Sequence, residues 1–204
     1  MTTFLHDGDL PDGLDLGPMV AIDSETMGLR FRRDPLCVVQ LSAGDGDAHV
    51  VRLQRPGYDC PNLKQLLADP QVLKIFHFGR FDIAMFALHL GVVTAPVYCT
   101  KIASKLARTY TDRHGLKDVT RELVGIEISK TQQSSDWGAA ELSQEQLAYA
   151  ASDVLHLHAI KARLDQMLER EGRAELARAC FEFLPHRAQL DLAGWDDSDI
   201  FAHT

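Results

Sequence analysis

The chain has 204 residues, 46% hydrophobic and 25% charged, a size and composition that exclude disorder and fibrous repeats. Its 29 acidic and 21 basic residues leave a net charge of −8. That balance excludes a protein that coats nucleic acid non-specifically, but not an enzyme that grips a short one locally.

No apolar run approaches the roughly 20 residues that span a bilayer. The N-terminus has no basic flank ahead of an apolar core, so the expected compartment is the cytoplasm, with no membrane partner. Cys37, Cys60, Cys99 and Cys180 are scattered without a Cys-x-x-Cys pair and read as buried free thiols.

Met19 to Glu25 reads as a strand that turns acidic at its end. Cys37 to Ser42 reads as a buried strand and Ala48 to Leu53 as its partner. Gly44-Asp45-Gly46-Asp47 between them is a hairpin signal, because such turns need positive φ. A short helix from Pro61 and a strand over Val72–His77 follow. Helices are predicted over Arg80–Leu90, Thr100–Ala107 and Leu116–Val124. Ser143-Gln144-Glu145-Gln146 is a capping box, and the apolar spacing after it predicts one long helix to about Gly172. Early strands with helices interleaved and then dominant give an α/β domain, a mixed sheet flanked by helices. The catalytic core is expected over about 18–172, with a helical and acidic tail over 173–204 in the same domain.

Asp23 and Glu25 are one residue apart on a strand, so both carboxylates share a face. Like charges side by side need compensation. Asp82 falls in the first turn of the next helix, where the dipole favours an anion. Tyr149 and Asp153 lie four apart on a helix and also share a face. Each feature alone has a plain structural reading. Together, four carboxylates and a phenol form an oxygen-rich set suited to two hard divalent cations, Mg²⁺ or Mn²⁺, clamping a phosphodiester. With a reference pKa of about 10, the phenol is suited to orienting water.

Asp23-Ser24-Glu25, Phe81-Asp82 and Tyr149-x-x-x-Asp153 resemble the three motifs of the DEDDy 3′→5′ exonucleases. Lys130-x-x-x-Ser134-Ser135-Asp136-Trp137 ahead of Leu142–Asp153 resembles the third-motif neighbourhood of ribonuclease D proteins. The resemblance implies a ribonuclease H-like fold, with Asp23, Glu25, Asp82 and Asp153 as metal ligands and Tyr149 as the water-orienting residue. The compact length, Phe76–Asp82, Ser104–Lys117 and the ending from Gly194 look like the alphaproteobacterial nano-RNase C group. That resemblance implies hydrolysis of very short RNA, dinucleotides above all, and a homo-oligomer, an octamer in that group.

Leu29, beside Met27, matches the wedge that separates the last two bases in oligoribonuclease-like enzymes, with ordinary core as the alternative. The basic segment from Lys101 to Lys117 suggests a cap for a terminal 5′-phosphate, built from Arg108, Tyr110, Arg113, His114 and Lys117 of this subunit or a neighbour. A solvated basic face is the alternative. His77 either approaches the site or is a core histidine, and Lys130 and Asp136 either line a substrate channel or cap structure near Trp137. His156 and His158 face different directions on a helix and are not read as a metal pair. Trp195 and Phe201 on the acidic tail mark a subunit contact or a strap on the chain's own core. Trimming of longer RNA or of DNA is the rival activity, and a catalytically silent nucleic-acid-binding scaffold the rival class.

Overall fold

The computed structural model describes residues 2–129 and 131–203. Six strands, β1 (Thr3–Asp7), β2 (Met19–Thr26), β3 (Leu36–Ser42), β4 (Ala48–Arg52), β5 (Leu73–Phe76) and β6 (Val97–Cys99), form one sheet in the order β1-β4-β3-β2-β5-β6. The β2–β3–β4 meander is antiparallel, whereas β5 joins β2 and β6 joins β5 in parallel. β3 is buried at every position, as a central strand covered on both faces must be. The β3–β4 hairpin turns through Gly44 and Gly46 at φ of +83° and +97°.

The helices are α1 (Pro61–Ala68), α2 (Arg80–His89), α3 (Thr100–Ala107), α4 (Leu116–Val124), α5 (Gln144–Leu155), α6 (Leu157–Arg170) and α7 (Ala174–Leu190). α5 packs on β2, β3 and β4, with Val38, Val50, Trp137, Leu147 and Ala150 between. The larger core runs through Ile22, Leu41, Ile75, Phe76, Phe86 and Leu164. α6 packs on α3 and α4, and α7 on α2 and β6.

The long helix expected from Ser143 to Gly172 is two helices. His156, at φ −105° and ψ −5°, ends α5 and begins α6. A one-residue break leaves the apolar spacing almost in phase, so periodicity misses it. Tertiary contacts set the new direction: His158 Nε2 lies 3.0 Å from the carbonyl of Met19, and its ring presses on Gly44, where a Cβ would come within 2.7 Å. β1 and β6 add to the strands the sequence predicts: β1 is an edge strand whose burial does not alternate, and β6 has three residues. Cys37, Cys60 and Cys99 are buried free thiols and Cys180 is half-buried. Among the described residues no helix is long and apolar enough to cross a membrane.

Candidate active site

The parallel strands β2, β5 and β6 end on the same side of the sheet, where open α/β sheets place their ligands. β2 delivers Asp23 and Glu25 there. The chain then leaves β5 through His77 and Phe78 into α2, which carries Asp82 in its first turn. Gly79 is sterically required in that turn, since a Cβ would lie 2.6 Å from Cβ of Phe76. Phe78 beside it holds a left-handed φ of +69°, a conformation that costs a non-glycine residue about 1–3 kcal/mol.

Over the strand ends lies α5, its start fixed by the capping box. Ser143 Oγ accepts from Gln146 N at 3.2 Å, and Gln146 Oε1 accepts from Ser143 N at 2.9 Å. About two and three turns on, Tyr149 and Asp153 face the carboxylates of β2.

Carboxylate oxygens of Asp23, Glu25 and Asp153 lie within 4.8 Å of one another. Two metal–oxygen bonds of about 2.0–2.6 Å span that gap. Asp82 lines the same cavity, of about 590 Å³, with these three and Tyr149. Ser24, alternate to Asp23 and Glu25 along the strand, donates to Asp82 Oδ1 at 2.6 Å. Gln40, opposite Asp23 on β3, donates from Nε2 to Asp23 Oδ2 at 2.8 Å.

The electrostatics match that crowding. Burial, and then the carboxylates of Asp82, Asp153 and Glu25, push Asp23 well above the usual carboxylate range. Burial and the charges of Asp153 and Asp82 lift Glu25 to about 9. Burial lifts Asp82 to about 7 against the hydrogen bond from Ser24. Burial, then Asp153, Glu25 and Asp23, raise the Tyr149 phenol, so it stays protonated at neutral pH. Clustered oxygens that resist ionisation unaided fit hard divalent cations as counter-charge. A larger cavity of about 1030 Å³, lined by Leu73, Tyr98, Leu168 and Phe181, lies away from this cluster. Donor chemistry, not size, identifies the site.

Leu29 and Met27 line the 590 Å³ cavity and are 80% and 46% exposed, which excludes the core reading of Leu29. The loop that presents them is rigidly held. Asp34 accepts from Arg30 N at 3.0 Å and from the Arg33 guanidinium at 2.6 and 2.7 Å. It also packs so close to Gly28 that a Cβ there would meet Asp34 Oδ2 at 2.3 Å. His77 lines the cavity as well, with Nδ1 2.8 Å from Thr100 Oγ1.

Within this chain none of Arg108, Tyr110, Arg113, His114 and Lys117, expected to cap a 5′-phosphate from this subunit or a neighbour, lines the cavity. Arg108 is fully buried, ion-paired with Glu122, and donates to Ser104 Oγ and to the Arg113 carbonyl, both at 2.8 Å. Tyr110 donates to Glu122 at 2.5 Å, and His114 Nδ1 lies 2.9 Å from Ser104 Oγ. The cluster braces the turn between α3 and α4. The basic segment reaches the cavity at Lys101 instead, whose Nζ sits 4.2 Å over the Phe78 ring. Gln133, Ser134 and Ser135 complete that wall. Lys101 stands in the first turn of α3.

Asp136 accepts from Gly138 N at 3.0 Å and does not line the cavity, the structural reading. Lys130 lies outside the described residues. The acidic tail is anchored to α2 and α7 at its start. Buried Asp191 accepts from Arg80 at 2.6 Å and pairs with Arg187 at 2.7 Å, and Phe201 meets Phe183 edge-on at 5.9 Å. Trp195 and Phe201 remain exposed.

A mixed sheet with carboxylates at the parallel strand ends and a tyrosine–aspartate helix above them defines a ribonuclease H-like exonuclease domain. The 3′–5′ exonuclease family matches residues 12–169, and the chain belongs to that family, in its ribonuclease D-like branch. Ribonuclease D of Gluconacetobacter diazotrophicus is 40% identical over 158 residues, 78% of this chain and 40% of that protein. The chain thus spans about 40% of the curated relatives it matches. Among solved structures, Brucella melitensis NrnC bound to pGG is 57% identical with a TM-score of 0.97, each chain covered completely. The same protein with bound Mg²⁺ is 56% identical with a TM-score of 0.96 and the same coverage. Escherichia coli RNase D is 26% identical with a TM-score of 0.74, over 84% of this chain and 45% of that one.

Proposed function

We propose that this chain is a two-metal 3′→5′ exoribonuclease that hydrolyses very short RNA, preferentially dinucleotides, to nucleoside 5′-monophosphates. The observation that carries the reading is the convergence of Asp23, Glu25, Asp82, Asp153 and Tyr149 in one cavity with the exposed Leu29 ridge on its wall. About 590 Å³ is a volume suited to a small ligand. Similarity to NrnC structures with Mg²⁺ and with pGG supports the metal and the substrate class.

The four carboxylates hold the cations, which when bound supply Lewis acidity to the attacking water and to the leaving 3′-oxygen. Tyr149, kept protonated by its surroundings, orients the water by hydrogen bonding and does not act as its base. The P–O3′ bond breaks as the water oxygen bonds to phosphorus. One product carries a 5′-phosphate and the other a free 3′-hydroxyl. Leu29 and Met27 replace base stacking between the last two nucleotides. Lys101, His77, Ser134 and Ser135 line the wall where phosphate oxygens need donors. The protein works as a homo-oligomer, octameric on the family resemblance, with the exposed Trp195 and Phe201 as contact candidates.

A time course on 5′-labelled RNAs from the dinucleotide upward, with Mg²⁺, Mn²⁺ or chelator, tests the reading. The expected result is metal-dependent turnover fastest on the dinucleotide. Rates that rise with length would replace it with trimming of longer RNA, and RNA binding without hydrolysis in any metal would make the chain a silent scaffold.

A further inference from the structure

We infer that Gln40 is a positioning residue that fixes the orientation of the Asp23 carboxylate for cation binding; the inference rests on reading the carboxylate cluster as a divalent-cation site. Every residue of β3 is buried, and such strands are ordinarily apolar throughout. β3 carries two polar side chains, Gln40 and Ser42. Ser42 is fully used within the hairpin, donating to the Asp47 carbonyl at 2.7 Å and accepting from Gly44 N at 3.2 Å.

Gln40 is different. It is 0% exposed, its Nε2 donates to Asp23 Oδ2 at 2.8 Å, and its Oε1 is buried with no hydrogen-bond partner among the described residues. A core keeps an orphaned acceptor at a penalty, so the amide is not explained by packing. Its explanation lies at the other end of the group. The β2–β3 register sets Gln40 directly opposite Asp23, where the N–H engages one carboxylate oxygen and orients the other toward Glu25 and Asp153.

The residue type is as informative as the geometry. A lysine or arginine at this position would give the same hydrogen bond but add a positive charge, cancelling the field that attracts a divalent ion. An amide gives direction without charge. Groups of this kind behind a metal ligand typically contribute about 10–100-fold to metal affinity.

Gln40→Met keeps an unbranched side chain of similar length and removes the donor and the orphaned oxygen together. Two quantities are measured: Mn²⁺ affinity, by titration of the free ion's paramagnetic resonance signal, and the melting temperature in chelator. The expected result is Mn²⁺ affinity about 10–100-fold weaker, with metal-free melting either higher or within about 2 °C of wild type. Gln40→Asn, which retracts the amide by one methylene, should weaken Mn²⁺ in the same direction and serves if the methionine variant does not fold. Unchanged Mn²⁺ affinity, or affinity and metal-free melting falling together as a merely structural role requires, would overturn the inference. Wild-type protein that fails to bind Mn²⁺ would overturn the cation site itself, whereas wild-type binding equalled by the variant removes only the role of Gln40.

Discussion

Replacing Asp153 by asparagine removes one charge from the cluster at nearly constant volume. Its oxygens lie within 4.8 Å of those of both Asp23 and Glu25. At an effective dielectric constant near 20, two full charges at that distance repel by about 3.5 kcal/mol. The realised relief is smaller, because the raised proton affinities of Asp23 and Glu25 leave them partly neutral. A gain of about 1–3 kcal/mol in the metal-free protein is expected near pH 8 to 9, or roughly 2–4 °C of melting temperature per kcal/mol.

The sign follows from proton linkage. Folding raises Glu25 from its ordinary value to about 9, so between these values the folded state binds more protons than the unfolded one. Metal-free stability therefore falls as pH rises through that window. The Asp153→Asn gain should accordingly be large at the alkaline end and vanish in acid, where the cluster is protonated. Differential scanning calorimetry in chelator across that range, with and without Mn²⁺, reads both effects. Added Mn²⁺ should stabilise wild type strongly and the variant little, and turnover should be abolished. Equal destabilisation at all pH values, or retained Mn²⁺-dependent turnover, would refute the reasoning.

Tyr149→Phe should lower kcat by about ten- to a hundredfold while KM changes little if, as proposed, the phenol orients the nucleophile and does not bind the substrate; single-turnover kinetics on a dinucleotide check it. Leu29→Ala removes an 80% exposed side chain, so stability should stay within about 0.5 kcal/mol while dinucleotide affinity drops, measurable by titration in Ca²⁺. Arg108→Ala should cost about 1–3 kcal/mol of stability, since it empties a fully buried side chain's place and leaves Ser104 Oγ and the Arg113 carbonyl without its hydrogen bonds, while the half-exposed Glu122 is solvated. That loss appears in thermal unfolding, and a selective loss of affinity for 5′-phosphorylated RNA without it would restore Arg108 to the phosphate cap.

Features governed by local periodicity were legible in the sequence. The β3–β4 hairpin, the Ser143 capping box and the shared faces of Asp23 with Glu25 and of Tyr149 with Asp153 depend on residues at most four apart, and each takes the expected form. A run of basic residues does not say where each side chain points, so the sequence does not show which of the expected cap residues reach this chain's own cavity. Arg108 is claimed by Glu122, fourteen positions on, and only the packing of α3 against the turn before α4 brings them together. Lys101 stands in the predicted helix Thr100–Ala107, and the basic run alone does not single it out from its neighbours as the one that reaches the cavity. Gln40 did leave a signal, a lone amide inside an apolar strand, but its meaning depends on the strand register that sets it against Asp23.

Asp191 holds the guanidinium of Arg80, and Arg80 stands two positions ahead of Asp82 in the first turn of α2. The last stretch of the chain is thus a tether on the helix start that supplies one of the four carboxylates. A change that displaces Asp191 takes away the carboxylate that holds Arg80 at that helix start, although the two lie 111 positions apart along the polypeptide.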